Sequence, residues 1–387
     1  MVAQTDPGKH PPKRCKRILA LDGGGIRGAL SVAFLERLEK LYSDYAKDNR
    51  PIRLSECFDL IGGTSTGSII GAALALGLST ADIKDLFFLI GPRIFRRPRF
   101  RLPFLQTTFD SRSLKQEIDR IFGGIRLESP DLVTNLAIVT KRMDTGSAWI
   151  VTNNAKAKYW DDPVDKSYIG NRHYRLADLV RASTAAPYYF SPHEIDIVDG
   201  EPAGLFVDGG ITPHNNPALA LFQLATIPAY GFGWPVGAEN LLIVSIGTGG
   251  RRDRLSTEKA RRMSAALLAI EALKSMISDS GNQVLILMQA LGRTDTPWVI
   301  NSEIGDLRGV SIAPQPLFTF QRYDVRLERE WLRQELGISL TDGQVDQVNM
   351  MENAASIPLA YEIGQAAAEK FVKTEHLFAT PDQAQQL

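Results

Sequence analysis

The stretch that most constrains the fold is the uncharged run from Leu60 to Ala81. Its head, Leu60-Ile61-Gly62, continues Phe58-Asp59 as a short apolar strand. Gly63-Thr64-Ser65-Thr66-Gly67 follows with G-x-S-x-G spacing, the nucleophile-elbow pattern, and Ser68-Ile69-Ile70-Gly71-Ala72-Ala73-Leu74-Ala75-Leu76 reads as a helix of small and apolar residues. A serine on so sharp a strand-to-helix turn crowds the residues two positions either side of it, and glycine at Gly63 and Gly67 relieves the crowding. The small residues let the helix pack closely on a sheet, with its positive amino end beside Ser65. Only 69–78 is solidly apolar, which suits a buried core helix rather than a membrane span. The same letters also suit an ordinary Gly/Ser/Thr loop before a buried helix, so the surrounding chain has to decide.

That chain alternates. Residues 17–21 form an apolar strand candidate, Asp22 to Gly28 a glycine loop, and Leu30, Phe34, Leu38 and Leu41 recur at helical spacing. Further strands are expected at 135–139, 149–152, 205–208 and 241–246, with helices at 111–122, 176–185 and 217–224. Strands alternating with helices predict an α/β fold, a central sheet with helices on both faces. Past Gly250 the pattern turns helical, at 258–278, 284–291, 327–336 and 358–373, with Thr341 and Gln344 forming a capping box for one more. The expected organisation is a tail (1–16), an α/β core (17–250), a mostly helical part packed on that core and a candidate regulatory region (251–376), and a second tail (377–387).

Composition removes several classes of function. The 44 Lys and Arg balance 44 Asp and Glu, so neither DNA nor RNA is expected as a bulk electrostatic partner. Cys15 and Cys57 give no disulfide framework, and His10, His173, His193, His214 and His376 show no ligand spacing, so no metal is expected. The first sixteen residues lack the apolar centre of a signal peptide, which points to the cytoplasm.

Gly23-x-Gly25-x-x-Gly28 after a strand satisfies a dinucleotide fingerprint. Such a unit places an acidic residue at the end of the next strand, roughly 20 residues on. Here that region is helical, and the next strand runs into Ser65. Consecutive backbone N–H groups can equally hold a tetrahedral oxyanion. With a serine elbow next, Gly23, Gly24 and Gly25 are read as that hole, and Arg27 as a positive charge beside it or a salt-bridge partner of Asp22 or Glu36.

A nucleophilic serine needs a proton acceptor. Ser65, Asp208 and His214 stand in the order of a hydrolase triad, but Asp208 and His214 share one loop. The alternative is a dyad, with Asp208 at the end of a strand over Gly209-Gly210 bonded directly to Ser65.

Together Asp22-Gly-Gly-Gly-Ile-Arg27-Gly28, Gly63-Thr-Ser65-Thr-Gly67 and Asp208-Gly-Gly resemble the patatin-like phospholipases, as do Arg181-Ala-Ser-Thr-Ala-Ala-Pro187-Tyr-Tyr-Phe190 and Ser245-Ile-Gly-Thr-Gly249. The resemblance implies a three-layer α/β/α fold with a mostly parallel sheet, and lipid acyl hydrolysis without a cofactor. In it Ser65 is the nucleophile, Asp208 its base, and Gly24 and Gly25 the oxyanion donors, with Gly23 shaping their loop. Blocks around Asp306, Arg322, Arg326, Trp331 and Gly364 are similar to bacterial phospholipase effectors of cyclic-oligonucleotide antiphage systems. That similarity implies activation by a cyclic dinucleotide, with Arg322 and Arg326 as candidate contacts or else packing and salt-bridge residues. It also implies attack on the membrane from its inner face and admits a homo-oligomer on activation. Two other functions stay open: an unregulated acyl hydrolase, and a non-catalytic nucleotide-binding module using the glycine loop.

Between Leu86 and Phe109 there is no acidic residue, while Arg93, Arg96, Arg97, Arg99 and Arg101 interleave with Phe95, Phe100, Leu102, Phe104 and Leu105. A basic, aromatic stretch suits docking on an anionic bilayer, with rings in the interface and arginines at headgroups. A loop packed on the core and a phosphate-binding patch are the competing readings.

Overall fold

The near-continuous apolar runs in the first 250 residues become strands covered on both faces, as such composition requires. A computed structural model describes residues 15–46, 50–95, 107–251 and 257–377. Among these, β1 (Lys16–Leu21), β2 (Leu60–Thr64), β3 (Asn135–Arg142), β4 (Ser147–Thr152), β5 (His193–Ile195), β6 (Gly204–Asp208), β7 (Leu241–Ile246), β8 (Arg293–Thr296) and β9 (Thr319–Tyr323) make one sheet. Its order is β5-β6-β3-β2-β1-β7-β9-β8, with β4 also on β3. The pairs from β3 through β2, β1, β7, β9 and β8 are parallel, and β4, β5 and β6 pair antiparallel.

The helices are α1 (Gly28–Tyr45), α2 (Leu54–Cys57), α3 (Thr66–Ala75), α4 (Thr80–Ile94), α5 (Ser111–Phe122), α6 (Leu176–Ser183), α7 (Ala218–Thr226), α8 (Thr257–Arg262), α9 (Ala265–Leu291), α10 (Arg329–Leu336), α11 (Asp342–Asn349) and α12 (Ile357–Phe371). Alternate strand residues face opposite ways, so each face has its own core. Leu19, Leu21, Ile61, Leu136 and Val244 pack with side chains of α1, α3, α5, α6 and α12. Ile18, Ala20, Leu60, Ala137 and Ile243 pack with α7 and the end of α9. The fold is the expected three-layer α/β/α arrangement, a mixed sheet with its parallel strands at the centre.

Residues past 250 depart from the helical expectation by adding two strands. β9 sits beside β7 and is fully buried, while β8 covers it with the polar sequence Arg-Thr-Asp-Thr. The expected break between two helices near 278–284 is absent. Ser278, Asp279, Ser280 and Asn282 lie inside the continuous α9.

The sheet's pairing explains why two residues distant in sequence meet. β4 occupies one edge of β3 from Ala137 to Arg142, so β2 and β6 must share the other edge. β2 runs parallel to β3 and ends with Thr64 opposite Val139. β6 runs antiparallel and ends with Asp208 opposite Thr140. The two strands therefore meet head to head on adjacent residues of β3, bringing the residue after Thr64 against Asp208.

Candidate active site

Ser65 stands between β2 and α3 with φ 54° and ψ -123°, a backbone conformation few L residues adopt. Close approach forces the flanking glycines: a Cβ on Gly63 would lie 2.0 Å from the Gly67 carbonyl oxygen, and one on Gly67 2.3 Å from that of Leu21. The strained turn is held by hydrogen bonds. The Ser65 N–H donates to Ser183 Oγ at 2.9 Å, and the Ser183 hydroxyl donates to the Val139 carbonyl at 2.6 Å. The Ser65 carbonyl accepts from the Ser68 hydroxyl at 2.6 Å.

Ser65 Oγ donates to Asp208 Oδ2 at 2.6 Å, and the other carboxylate oxygen accepts the Gly210 N–H at 2.6 Å. Asp208 is only 4% exposed. Burial raises its pKa to about 6, against the opposing pull of the Ser65 and Gly210 hydrogen bonds and the Arg181 charge. Arg181 is itself buried, donates to the Ser191 carbonyl at 2.9 Å, and has its pKa lowered by burial to about 10.

His214 enters through its main chain. Its carbonyl accepts the Thr64 hydroxyl at 2.6 Å, and its buried Nδ1 meets no hydrogen-bond partner among the described residues. Burial holds its pKa below the ordinary histidine value.

The glycine loop divides its labour by residue. The Gly23 N–H is spent on the Asn215 carbonyl at 3.1 Å, and the Gly23 carbonyl accepts from Thr248 Oγ1 at 3.0 Å. The Ile26 N–H goes to the Met351 carbonyl at 2.9 Å. Between them, the N–H groups of Gly24 and Gly25 meet no acceptor among the described residues, and both glycines line the cleft that Ser65 opens into. Gly25 has φ 61°, and a Cβ there would lie 2.2 Å from the Met351 carbonyl oxygen. Arg27 lines the same cleft.

Asp22, at the root of the loop, is clamped by Arg322 from β9. The guanidinium donates to both Asp22 oxygens (3.1 and 2.7 Å), to Asp324 at 2.6 Å and to Ser245 Oγ at 2.7 Å. Burial pushes the Asp22 pKa up to about 6 against the Arg322 charge, and the two carboxylates outweigh burial to push Arg322 above the usual arginine value. Of the two readings the sequence leaves open for Arg322, a nucleotide contact or a packing and salt-bridge residue, its contacts are those of the second, and it is Arg322, where the sequence offers Arg27, that pairs with Asp22. Arg322 ties the end of β1, β7 and β9 together at the root of the loop. Arg326 stacks over Trp298 at 5.3 Å and donates to the Val299 carbonyl.

The cleft encloses about 1680 Å³. One part of its wall is apolar, with Ile83, Phe87 and Ile90 of α4, Ile118 of α5 and Tyr189, while charged residues such as Arg326, Arg329 and Asp346 line another. Of the basic, aromatic stretch, Arg93 pairs with Glu117 at 3.2 Å, and Phe95 packs edge-on against Phe109 at 5.3 Å. Arg96, Arg97, Arg99, Phe100 and Arg101 lie outside the described residues. Among the described residues no cluster of His, Cys, Asp and Glu could hold a metal, and no helix is long and apolar enough to cross a membrane.

Over 250 residues the chain is 28% identical to the cGAMP-activated phospholipase of Vibrio cholerae, an alignment covering 62% of this chain and 66% of that protein. Over 304 residues it is 27% identical to Patatin-like protein 1 of Arabidopsis thaliana, covering 72% and 69%. The chain thus spans just under two thirds of the cGAMP-activated relative's length. Among solved structures, human GIVD cytosolic phospholipase A2 in complex with methyl gamma-linolenyl fluorophosphonate aligns over 98% of this chain and 60% of that one, with 11% identity and a TM-score of 0.43. The family model described as Patatin-like phospholipase matches residues 19–222, more than half of the chain and the part that carries the glycine loop, Ser65 and Asp208, so the chain belongs to the patatin-like phospholipase family.

Proposed function

We propose that this chain is a lipid acyl hydrolase that cleaves phospholipid acyl esters with Ser65 as nucleophile and Asp208 as base. The observation that carries this reading is the direct 2.6 Å bond from Ser65 Oγ to a buried carboxylate. Asp208 takes the Ser65 proton as Oγ attacks the ester carbonyl carbon, and the carbonyl π pair moves onto oxygen. The Gly24 and Gly25 N–H groups receive that oxyanion, each donor of this kind being worth roughly 3 kcal/mol. Collapse expels the lysophospholipid alkoxide, which takes the proton back from Asp208. Water then attacks the acyl-serine, Asp208 accepts its proton, and fatty acid leaves as Ser65 recovers its hydrogen.

A carboxylate is a weak base at its ordinary pKa, and burial strengthens it here. With the Asp208 pKa at about 6, kcat/KM on a soluble monomeric ester is expected to fall tenfold for each pH unit below about 6 and to level off above it. A flat profile down to about pH 5 contradicts Asp208 as the base.

The cGAMP-activated relative supports a second part of the proposal: hydrolysis waits for a cyclic dinucleotide, and the enzyme then works at the inner face of the cell membrane, self-association being a further element of that state. Purified protein on phosphatidylglycerol vesicles, with and without a panel of cyclic dinucleotides, tests it. Release of fatty acid only with one nucleotide is the expected result. Equal rates in every tube leave an unregulated acyl hydrolase.

A further inference from the structure

The α9 helix spans about 40 Å at 1.5 Å per residue, yet its buried apolar side chains begin only at Val284. The first half carries Ala-Ala-Leu-Leu-Ala-Ile-Glu-Ala-Leu-Lys-Ser-Met-Ile, a sequence far too apolar for a helix bathed in water. One side, with Leu267, Ile270 and Ile277, lines the cleft that holds Ser65. The other turns outward: Leu268 is 47% and Met276 66% exposed, with Ala272 between them one turn from each. Among the described residues nothing covers this outward stripe. Glu271 and Lys274 neutralise each other at 2.9 Å, leaving the helix free of net charge through Ser278.

The approach to this helix is basic. In sequence Arg251, Arg252, Arg254, Lys259, Arg261 and Arg262 precede it, against Asp253 and Glu258. Arg261 and Arg262 are exposed at the end of α8, immediately before α9 begins; Arg262 pairs with Glu258 at 2.7 Å and Arg251 with Asp346 at 2.6 Å, both pairs at the surface. An apolar helix face with cations at one end is the composition of an element that lies in a bilayer interface, side chains among the acyl chains and cations at anionic headgroups. The same helix is not apolar enough along its length to cross a membrane. We propose that the amino-terminal half of α9 is the surface by which this protein docks on an anionic lipid bilayer, its outward stripe entering the interface and its inner side forming one wall of the path to Ser65. The inference rests on the acyl-hydrolase reading for the purpose of the docking, and it adds the element that performs it. It differs from the basic, aromatic stretch at 86–109, which belongs to another part of the chain.

The test uses the full chain with Ser65→Ala, so that vesicles stay intact, and the double variant Leu268→Glu/Met276→Glu added to it. Both side chains are exposed and outside the cleft wall, so folding is checked simply by an unchanged thermal unfolding temperature. Sedimentation with phosphatidylcholine vesicles containing phosphatidylglycerol is expected to fall at least tenfold in the double variant. Binding of the Ser65→Ala protein itself should weaken in high salt and on vesicles of phosphatidylcholine alone. In the Ser65-bearing protein, assayed with the cyclic dinucleotide that gives the parent its highest rate, the double variant should lose vesicle hydrolysis by a similar factor while hydrolysis of a soluble monomeric ester stays within about twofold. Undiminished vesicle binding by the double variant overturns the proposal. So does a result in which the substitutions abolish self-association in sedimentation velocity yet leave vesicle binding intact, which assigns the stripe to a second copy of the chain. If the Ser65-bearing protein hydrolyses neither substrate with any cyclic dinucleotide of the panel present but the binding results hold, the hydrolase reading fails and the docking surface stands.

Discussion

Ser65→Ala is expected to lower release of fatty acid from phospholipid by on the order of 10³-fold or more, and Asp208→Asn by about 10²- to 10⁴-fold. The two losses have one cause, the removal of either end of a single proton transfer, so the double variant should be little worse than the poorer single one. Neither variant should fail by unfolding. The folded-state pKa of Asp208 is about 6, above its ordinary 3.8, so the folded state binds this proton more tightly than the unfolded state. Stability from this group is therefore greatest at low pH and declines as pH rises towards 6. Above that, the buried charge weighs against the fold, and asparagine relieves it. Thermal unfolding at about pH 8 should show Asp208→Asn at least as stable as the parent. His214→Ala should keep activity within a few fold, since Ser65 and Asp208 bond without it. A His214→Ala protein as inactive as Ser65→Ala would require a triad instead.

Arg322→Leu is expected to destabilise the protein by about 3–5 kcal/mol, because it strands Asp22 and Asp324 as buried carboxylates without their cation. The fork geometry matters as well as the charge: Arg322 reaches both oxygens of Asp22, Asp324 and Ser245 together, which a lysine ammonium cannot reproduce. Arg322→Lys should therefore fall between the parent and Arg322→Leu in denaturant-induced unfolding. Asp22 begins the loop whose N–H groups face the cleft, so residual hydrolysis by Arg322→Lys should drop in kcat more than it rises in KM. A stability change below about 1 kcal/mol for Arg322→Leu would show the cluster to be hydrated and loose rather than a buried tie.

The parts of this molecule that sequence patterns reveal are those whose physics is local. β1, β2, β3 and β7 are apolar on both faces and announce themselves as buried strands. Ser65 carries its own crowding signature in Gly63 and Gly67, and Asp208 closes a strand over two glycines. The hidden parts depend on partners far along the chain. Arg322 meets Asp22 across 300 residues, and nothing near either one foretells it. Ser183 acts on Ser65 through main-chain atoms of Ser65 and Val139, whose identity leaves no mark on spacing. Its signal was present only in the Arg181–Phe190 block. β8 is polar because it is an edge, and β9 carries Gln321 and Arg322 inside the sheet because Thr296, Asp22 and Asp324 satisfy them. Binary patterning alone reads such strands as loop or helix.

Active-site labelling tests the central claim most directly. A lipid-chain fluorophosphonate, which phosphonylates only a nucleophile whose proton has somewhere to go, is incubated with the protein and the adduct located by peptide mass spectrometry. The expected adduct is on Ser65, absent in Ser65→Ala, at least a hundredfold slower in Asp208→Asn, and as fast as the parent in His214→Ala. An adduct on any other residue, or an Asp208→Asn protein labelled at the parent's rate, would contradict a serine activated by that carboxylate.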